Sequence, residues 1–585
     1  MAESANIARH LPLMAARQPE QAAIKIPRGR TATGDIDYLT LSFAELDAEV
    51  DSWVIHLQRK GVRRDDRVLV MVRQGLPLIA AAFALFKLGA VPVIIDPGMG
   101  RKNFLACVAR SKPRVLLGIL SAQLASHLFR AAFDSVDIRI WVSGNPTARL
   151  RLATARTNTG SAAAGNGVSS QSSALSPGDG LDKHRAGSSQ QQCTSQPVSS
   201  DAADLAAILF TSGSTGAPKG VCYEHGMLDA QVRLIRETYG IEPGEVDLPM
   251  LPIFALFNPA LGMTTIVPEL DPSHPAMVDP EKIVRAILQE QVTNSFGSPT
   301  LWRKIFDHCL AHNITLPSLR RVLCAGAAVP LQLYLDSQKI LTGGALYSPY
   351  GATEALPVSS TYSFEVLAKE TLNASESCGV CVGKPLPEME VRIITIRDDA
   401  ISTLEETRAA KPDEIGEIIV RGPVVTKLYD ALPRETAQAK IRDHDTVWHR
   451  MGDCGRFDEL GRLWFCGRKA ERVITAGGTL YTEPCEQVFR SNFPGLRLAL
   501  IGLGPPGQMT PALVVEENAL SESDPKFLLY CLRTAARSRS HTAGIKKFFF
   551  HPAFPVDVRH NAKIHRLTLT RWATTAKAFE PGDQP

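Results

Sequence analysis

Apolar residues near the start of the chain recur at the spacing of a helix. The segment Ser42-Phe-Ala-Glu45 has the pattern of a capping box, in which the first and fourth residues each bond the other's backbone N–H. Behind it, one face of the predicted helix carries Leu46, Val50, Trp53, Val54 and Leu57. Gly61 follows this periodic segment and is expected to end the helix.

Short apolar runs then alternate with helical segments. Leu78–Leu88 has the length and composition of a buried helix. The runs that read as buried strands are Arg67–Val72, Val91–Ile95, Arg114–Gly118, Ile138–Val142 and Leu205–Phe210. The same alternation returns through Thr293–Thr300 and Arg320–Pro330. This order predicts an α/β fold whose sheets are largely parallel.

Residues 154–200 interrupt the pattern. They are rich in Ser, Gly, Ala, Gln and Asn and contain no Phe, Trp, Tyr, Ile or Met. Such a segment cannot bury enough apolar surface to offset the entropy lost on ordering. We therefore predict a disordered surface insertion.

The pattern changes again in the last third of the chain. After about Cys378 short strands predominate, such as Val391–Ile396 and Gly416–Gly422, and they predict a small β-barrel. From Arg468 the chain has strands and helices of its own. We therefore predict a large domain over 1–467, built from two α/β subdomains and the barrel, and a smaller, mobile α+β domain over 468–585.

Composition narrows the class of protein. The chain has 585 residues, is 44% hydrophobic and 21% charged, and carries a formal net charge of only +4, so nothing electrostatic indicates nucleic acid. Its 11 cysteines have scattered spacings, which favours reduced thiols in the cytoplasm over a disulfide framework. No signal peptide is predicted, and Lys87 and Gly89 divide the most apolar stretch, Leu76–Ile95, so no membrane span is expected.

A loop rich in glycine and hydroxyl groups follows the strand Leu205–Phe210. It reads FTSGSTGAPKG, from Phe210 to Gly220, and contains Lys219. Its backbone N–H groups, hydroxyls and lysine suit a phosphate, although the order differs from the Walker pattern. A flexible turn is the alternative interpretation.

Four further segments carry candidate chemistry. YSPYGATEALP contains an aromatic residue, a hydroxyl and a carboxylate (Tyr350, Thr353 and Glu354). HRMGDCG places Asp453 in what we predict to be a tight turn, and Arg468 and Lys563 add cations further along. Each of these residues alone is as well explained as a turn or surface residue.

In this order, the five segments resemble the ANL superfamily of adenylate-forming enzymes, from about Ser42 to Arg566 except for the insertion. The resemblance implies that the pyrophosphate end of ATP is bound by Thr211, Ser212, Gly213, Ser214, Thr215, Gly216 and Lys219. It implies that adenine lies against Gly326, Ala327, Ala328 and the Tyr350-Gly351 pair. By the same resemblance Thr353 contacts the α-phosphate, Glu354 holds Mg²⁺, Asp453 and Arg468 hold the ribose, and Lys563 bridges the carboxylate and α-phosphate.

Several segments depart from the sequence patterns that are usual in the superfamily, and these departures point to a narrower group of enzymes. LPIFALFNPALGMTT, YGATEALPVSS, GTLYTEPCE and HPAFPVDVRHNAKI are similar to the β-lactone synthetases of bacterial long-chain olefin biosynthesis. That likeness implies a long-chain 2-alkyl-3-hydroxy acid as substrate and no need for CoA. It also implies two pathway partners, the reductase that makes the hydroxy acid and the enzyme that decarboxylates the lactone. Candidate acyl contacts are Phe254, Ala255, Phe257, Leu261 and Met263, for each of which core packing is the alternative.

Two other functions remain open from the sequence. An ordinary long-chain acyl-CoA synthetase or acyl-AMP ligase would make these departures incidental. A non-catalytic nucleotide- or acyl-binding protein on the same fold would have no need of Lys563.

Overall fold

The computed structural model of the chain describes residues 4–150, 197–211, 217–271, 274, 277–369, 371–372, 379–493, 495–517, 525–556 and 564–579. Fifteen α-helices lie in these ranges: α1 His10–Arg17, α2 Phe43–Arg59, α3 Leu76–Leu88, α4 Arg101–Ser111, α5 Leu120–Leu128, α6 His225–Tyr239, α7 Asn258–Leu261, α8 Pro280–Glu290, α9 Pro299–Ala311, α10 Leu331–Ile340, α11 Ser363–Val366, α12 Pro433–Ala439, α13 Thr482–Asn492, α14 Pro525–Arg537 and α15 Arg566–Ala573.

Twenty-six strands lie in the same ranges. Those up to residue 300 are β1 Ala22–Arg30, β2 Ile36–Ser42, β3 Arg67–Met71, β4 Val91–Ile95, β5 Val115–Gly118, β6 Ile138–Trp141, β7 Leu205–Thr211, β8 Lys219–Glu224, β9 Val246–Pro249, β10 Thr264–Ile266 and β11 Asn294–Gly297. The others are β12 Arg321–Cys324, β13 Ala345–Ala352, β14 Ala355–Tyr362, β15 Val380–Cys381, β16 Lys384–Pro385, β17 Glu390–Ile394, β18 Gly416–Arg421, β19 Lys440–Asp443, β20 Thr446–Phe457, β21 Leu463–Arg468, β22 Val473–Thr475, β23 Gly478–Leu480, β24 Leu498–Leu503, β25 Thr510–Glu516 and β26 Lys547–His551.

The first α/β layer is a six-stranded sheet in the order β6-β5-β3-β4-β7-β8. Its strands are parallel except β8, which returns antiparallel to β7. The capping box is confirmed: the Glu45 backbone N–H donates to Ser42 Oγ over 3.3 Å, and the Ser42 N–H donates to Glu45 Oε2 over 2.9 Å. This cap fixes the start of α2, which packs on α3.

The apolar stretch Leu76–Ile95 forms helix α3 and strand β4, as its division by Lys87 and Gly89 predicts. Gly89 ends the helix with a left-handed backbone, φ 67°. Lys87 is buried, and its Nζ bonds carboxylate oxygens of Asp47 at 2.9 Å and Asp51 at 2.7 Å. Within the described ranges no helix is both long and apolar enough to cross a membrane.

The second α/β layer is a nine-stranded sheet in the order β16-β14-β13-β12-β11-β9-β10-β1-β2. The strands from β13 to β1 in this order are parallel, and antiparallel strands close both edges. The carboxyl ends of parallel strands meet at one edge of a sheet, which is where ligands bind in open α/β sheets. Residues 326–328 follow β12 one residue after its end, and Tyr350 lies towards the end of β13.

The predicted barrel strands form a third, six-stranded sheet. Its path runs β15-β21-β20-β18-β17, with β19 paired to β20, and every pairing is antiparallel. Among the described strands this path has two ends and does not close into a barrel. A long, continuous strand, β20, contacts three neighbours and holds the sheet together.

The smaller C-terminal domain follows β21. Its three-stranded sheet has the order β24-β25-β26, and its own core includes Phe489, Leu500, Leu513, Leu532 and Phe548. This mixture of helices and a small sheet agrees with the α+β prediction. The predicted boundary between 467 and 468 falls at the last residue of β21 and remains a prediction.

The predicted insertion lies mainly outside the described residues, which resume at Pro197. Its last four residues, 197–200, were wrongly assigned to it. Asn6, which is buried, donates from its side-chain amide to the Val198 carbonyl at 3.1 Å and to Ser200 Oγ at 3.3 Å. Composition could not show this, because the partner lies nearly 200 residues away in the sequence.

Candidate active site

The glycine-rich loop connects β7 to β8 at the edge of the first sheet. Thr211 and Lys219 are paired at its two ends. Ser212, Gly213, Ser214, Thr215 and Gly216 lie outside the described residues. Gly220 packs under the Phe210 ring, where a Cβ atom would stand only 2.6 Å from a ring carbon. A larger residue there would have to displace the Phe210 ring.

Thr353 and Glu354 form the two-residue turn between β13 and β14. Gly351 precedes them, and a Cβ there would lie 2.5 Å from the Ala355 carbonyl oxygen. The buried Tyr223 hydroxyl donates to the Thr353 carbonyl. From the other side, the Thr426 N–H donates to the Glu354 carbonyl over 2.9 Å. The backbone of the turn is thus held from two sides. The position of the Glu354 side chain is set by its own contact with a residue outside the turn.

The Glu354 carboxylate accepts a hydrogen bond of 2.7 Å from the Tyr429 hydroxyl. Burial, and then the charge of Glu354, raise the pKa of Tyr429, so it remains a donor. Lys219 Nζ lies 4.7 Å from the centroid of the Tyr429 ring, and Lys440 Nζ lies 6.0 Å from it. These contacts bring the end of the glycine-rich loop and the Glu354 turn to one place. The sequence analysis missed Tyr429 and Lys440.

This cluster suits a magnesium ion that is held mainly by oxygen atoms of a bound phosphate ligand and only in part by the protein. Magnesium in nucleotide sites takes one or two carboxylates and completes its shell with phosphate oxygens and water. Glu354 offers one such carboxylate. Nowhere in the described ranges do three or more His, Cys, Asp or Glu side chains gather as a metal site of their own.

Tyr350, Asp453 and Arg468 form a second cluster. The Tyr350 hydroxyl donates to Asp453 Oδ2 over 2.7 Å, and Arg468 Nη1 lies 2.8 Å from Asp453 Oδ1. Asp453 raises the pKa of Arg468, and burial followed by Asp453 raises that of Tyr350. The three residues predicted to contact adenosine are therefore joined, with the carboxylate at the centre.

The predicted turn at Asp453 is wrong. Asp453 lies inside β20 and is paired with Arg468 on β21. Gly455 allows the close approach of β21, because a Cβ there would stand 2.5 Å from the Trp464 carbonyl oxygen. Gly452 has φ 69°, a conformation that favours glycine.

Gly326, Ala327 and Ala328 form the bend that follows β12, with Gly326 at φ 100°. Gly326 and Ala328 are exposed. The bend lies at the same carboxyl edge as Tyr350 on the neighbouring strand, as the resemblance implies. Its role towards adenine remains a prediction.

The five candidate acyl contacts fall into two groups. Phe254 and Phe257 are half-buried, and Phe254 stacks on Phe296 of β11 with ring centroids 3.7 Å apart. Ala255 lines a narrow cleft together with Gln74, Leu78, Ile79, Pro252, Thr265 and Val267. Leu261 and Met263 are deep in the core, at 1% and 3% exposure. Core packing explains those two positions without a ligand, and all five acyl roles remain predictions.

Lys563 lies outside the described residues. Its described flanks, Val556 and Ile564, form an antiparallel bridge. The described residues on either side of Lys563 are therefore adjacent in the C-terminal domain.

The two clusters and the two ends of the glycine-rich loop, Thr211 and Lys219, lie on the sheets described above. The model of the family of AMP-binding enzymes matches residues 14–430. The chain therefore belongs to the AMP-binding, adenylate-forming enzymes.

Individual relatives narrow the comparison. The chain is 41% identical to the olefin beta-lactone synthetase of Xanthomonas campestris pv. campestris, an alignment that covers 97% of each chain. It is also 41% identical to the olefin beta-lactone synthetase of Stenotrophomonas maltophilia, over 97% of this chain and 98% of that one.

Solved structures confirm the fold. The amide bond synthetase McbA from Marinactinospora thermotolerans superposes with a TM-score of 0.73 at 21% identity, covering 98% of this chain and 100% of that one. The O-succinylbenzoate coenzyme A synthetase MenE from Bacillus subtilis, in complex with ATP and magnesium ion, gives 0.69 at 21% identity and covers 96% and 98%. At this identity the likeness concerns the fold alone.

Proposed function

We propose that the protein is an ATP-dependent β-lactone synthetase that acts on a long-chain 2-alkyl-3-hydroxy acid. The observation that carries this proposal is the 41% identity, over almost the whole chain, to two olefin beta-lactone synthetases. The gathering of Lys219, Glu354 and Tyr429 supports it, because it provides the cation and carboxylate that ATP activation requires.

In the first half-reaction a carboxylate oxygen attacks the α-phosphorus of ATP. A new O–P bond forms, the bond to the bridging oxygen breaks, and pyrophosphate leaves with its electron pair. Both reactants are anions, so cations must offset their repulsion. We assign the α-phosphate to Thr353 and Lys563, the pyrophosphate to Lys219 and the loop before it, and the adenosine to Tyr350, Asp453 and Arg468.

A magnesium ion held by Glu354 would supply further positive charge beside the phosphates. The chain's own contribution is to hold that carboxylate in place. Tyr429 binds its Oε1, and Thr426 binds the backbone carbonyl of the same residue. Adenylation therefore depends on two residues that do not themselves touch the acid.

In the second half-reaction the 3-hydroxyl of the substrate attacks the acyl carbonyl carbon of the acyl-AMP. A C–O bond closes a four-membered ring, the bond from the acyl carbon to the AMP oxygen breaks, and the hydroxyl proton is released. The nucleophile belongs to the same molecule as the carbonyl, which gives it a high effective concentration. CoA has no part in either step.

The acyl chain is assigned to the cleft beside Ala255, between the start of α3 and β10. Ala255 is itself buried, at 7% exposure, so this narrow cleft would have to widen to take an alkyl chain. Free thiols at the described cysteines suit a reducing compartment such as the cytoplasm. In a pathway, the partners would be the reductase that forms the hydroxy acid and the enzyme that decarboxylates the lactone.

The proposal is tested by incubating the purified protein with ATP, Mg²⁺ and a long-chain 2-alkyl-3-hydroxy acid, with and without CoA. We expect equal amounts of AMP and β-lactone, at the same rate in both reactions, by mass spectrometry and NMR. The matched substrate without the 3-hydroxyl should give acyl-AMP and no lactone. A thioester that forms only when CoA is added would instead identify an acyl-CoA synthetase.

Enlarging Ala255 should affect the acid and not the nucleotide. Ala255→Phe would fill the cleft, and we expect the KM for a long-chain acid to rise about tenfold or more. The KM for ATP should stay within about twofold of the wild-type value, and Ala255→Gly should leave both near wild type. Equal rises in the two KM values would show that the cleft does not hold the acyl chain.

A further inference from the structure

Lys440 is a buried lysine that the proposed reaction does not yet use. It begins β19 directly after α12 and is only 6% exposed. Its Nζ donates to the backbone carbonyl of Thr426 and to Thr426 Oγ1, the latter over 3.2 Å. Thr426 in turn donates from its N–H and its hydroxyl to the Glu354 carbonyl, over 2.9 and 3.1 Å. Lys440 thus supports the turn that carries Glu354.

The charges around Lys440 are unbalanced. Lys440 and Lys219 both lie against the Tyr429 ring, whose hydroxyl binds Glu354. Within the described ranges neither ammonium forms an ion pair with a carboxylate. Two positive charges therefore lie near one negative charge, that of Glu354. Burial, reinforced by Lys219, lowers the pKa of Lys440 to about 7, while Glu354 opposes the shift.

An anion would complete this arrangement. A buried charge is costly unless it is paired, so a lysine kept in such a place indicates a counter-charge that arrives with a ligand. The cluster stands where the glycine-rich loop rejoins β8. The ligand group that fits there is a polyphosphate rather than the nucleoside or the acyl chain.

We propose that Lys440 is a positioning residue of the pyrophosphate end of the nucleotide site, adding a second positive charge beside Lys219 and holding Thr426 against the Glu354 turn. The inference rests on the proposed function for the location of ATP. Free inorganic pyrophosphate and the β- and γ-phosphates of ATP share the chemistry that this charge recognises. AMP lacks those groups and serves as the reference ligand.

The test compares binding of inorganic pyrophosphate with Mg²⁺, of ATP with Mg²⁺, and of AMP to the full-length protein by calorimetry. Lys440→Met removes the charge and keeps the length of the side chain. We expect it to weaken the binding of pyrophosphate and of ATP about tenfold or more, because a nearby positive charge and the support of the Glu354 turn are lost together, and to leave the affinity for AMP within about threefold. Lys440→Arg, which keeps the charge, should recover most of the lost affinity.

Lys427→Met is the matched control. Lys427 is an exposed lysine next to Thr426, and its Nζ is paired with Glu224 at 2.7 Å. Its replacement should leave the affinities for all three ligands near their wild-type values. Unchanged pyrophosphate affinity in Lys440→Met, or an equal loss for AMP, would overturn the inference. If Lys440→Met does not fold, Lys440→Gln replaces it, and failure of both neutral variants to fold would show that the lysine serves the fold alone.

The outcome is separable from that of the proposed function. Pyrophosphate binding needs neither the hydroxy acid nor ring closure. A protein that makes no lactone but loses pyrophosphate affinity in Lys440→Met would keep this inference and lose the substrate assignment. A wild-type protein that does not bind pyrophosphate at all would overturn the role of Lys440 even if lactone forms.

Discussion

Replacing Lys563 by alanine is expected to slow the formation of acyl-AMP by about 10²- to 10³-fold or more, the effect of removing one group that stabilises charge in a transition state. The attacking carboxylate and the α-phosphate are both negative, and no other assigned residue bridges them. Binding of ATP should change by less than about threefold, because the other assigned nucleotide contacts belong to the large domain, except Arg468 at the predicted domain boundary, and Lys563→Ala leaves all of them in place. Release of pyrophosphate from the hydroxy acid and ATP measures the first quantity, and calorimetry measures the second.

Lys577→Ala is a suitable control for this variant. Lys577 belongs to the same small domain, and its ammonium lies over the Phe579 ring at 5.6 Å. Its removal should leave adenylation unchanged. Full activity in Lys563→Ala would remove Lys563 from the mechanism and favour a different bridging cation.

Replacing Asp453 by alanine should damage both the fold and nucleotide binding. Asp453 is almost fully buried and receives Tyr350 and Arg468 on its two oxygens. Without Asp453, Arg468 loses the carboxylate that it pairs with. We expect the free energy of unfolding to fall by roughly 2–3 kcal/mol. This is less than for a fully buried ion pair, because Arg468 is partly exposed. The Kd for AMP should rise about 10- to 100-fold, as the ribose loses an acceptor.

Asp453→Asn separates the two effects. The amide retains an oxygen that can accept from Tyr350, whereas the charge that pairs with Arg468 is gone. The Tm of Asp453→Asn should lie between those of the wild-type protein and of Asp453→Ala. Asp445→Ala, at an exposed position before β20, should have the Tm and the AMP affinity of the wild-type protein. Wild-type affinity for AMP in Asp453→Ala would place the ribose elsewhere.

The alternation of helices and strands was predictable because each element carries its own signal. The division of Leu76–Ile95 into α3 and β4 follows from one lysine and one glycine in an otherwise apolar stretch. The start of α2 follows from four residues of local sequence. Both signals act over short distances along the chain. The large and small domains were predicted from the same succession of local signals.

The candidate site was predictable only where a local pattern marks it. The tyrosine that binds Glu354 is 75 residues further along the chain, and its segment has no distinctive composition. Lys440 resembles a surface lysine in sequence, but it is buried by distant parts of the chain, among them β20, which pairs with β19, and Thr426. Asp453 was placed in a turn because aspartate is a common turn residue, whereas it lies inside β20, paired with Arg468 of β21.

The anchoring of the chain on either side of residues 151–196 has a practical consequence. Before this segment, the Leu150 N–H donates to Glu49 Oε1 over 2.6 Å; after it, the Val198 N–H donates to the Lys87 carbonyl over 2.9 Å. Glu49 and Lys87 belong to α2 and α3, which pack together, so both attachment points are secured without the residues between them. A fluorescent reporter or an affinity tag spliced between these anchors should leave the enzyme intact, since lengthening a chain segment whose two ends are already held costs little chain entropy.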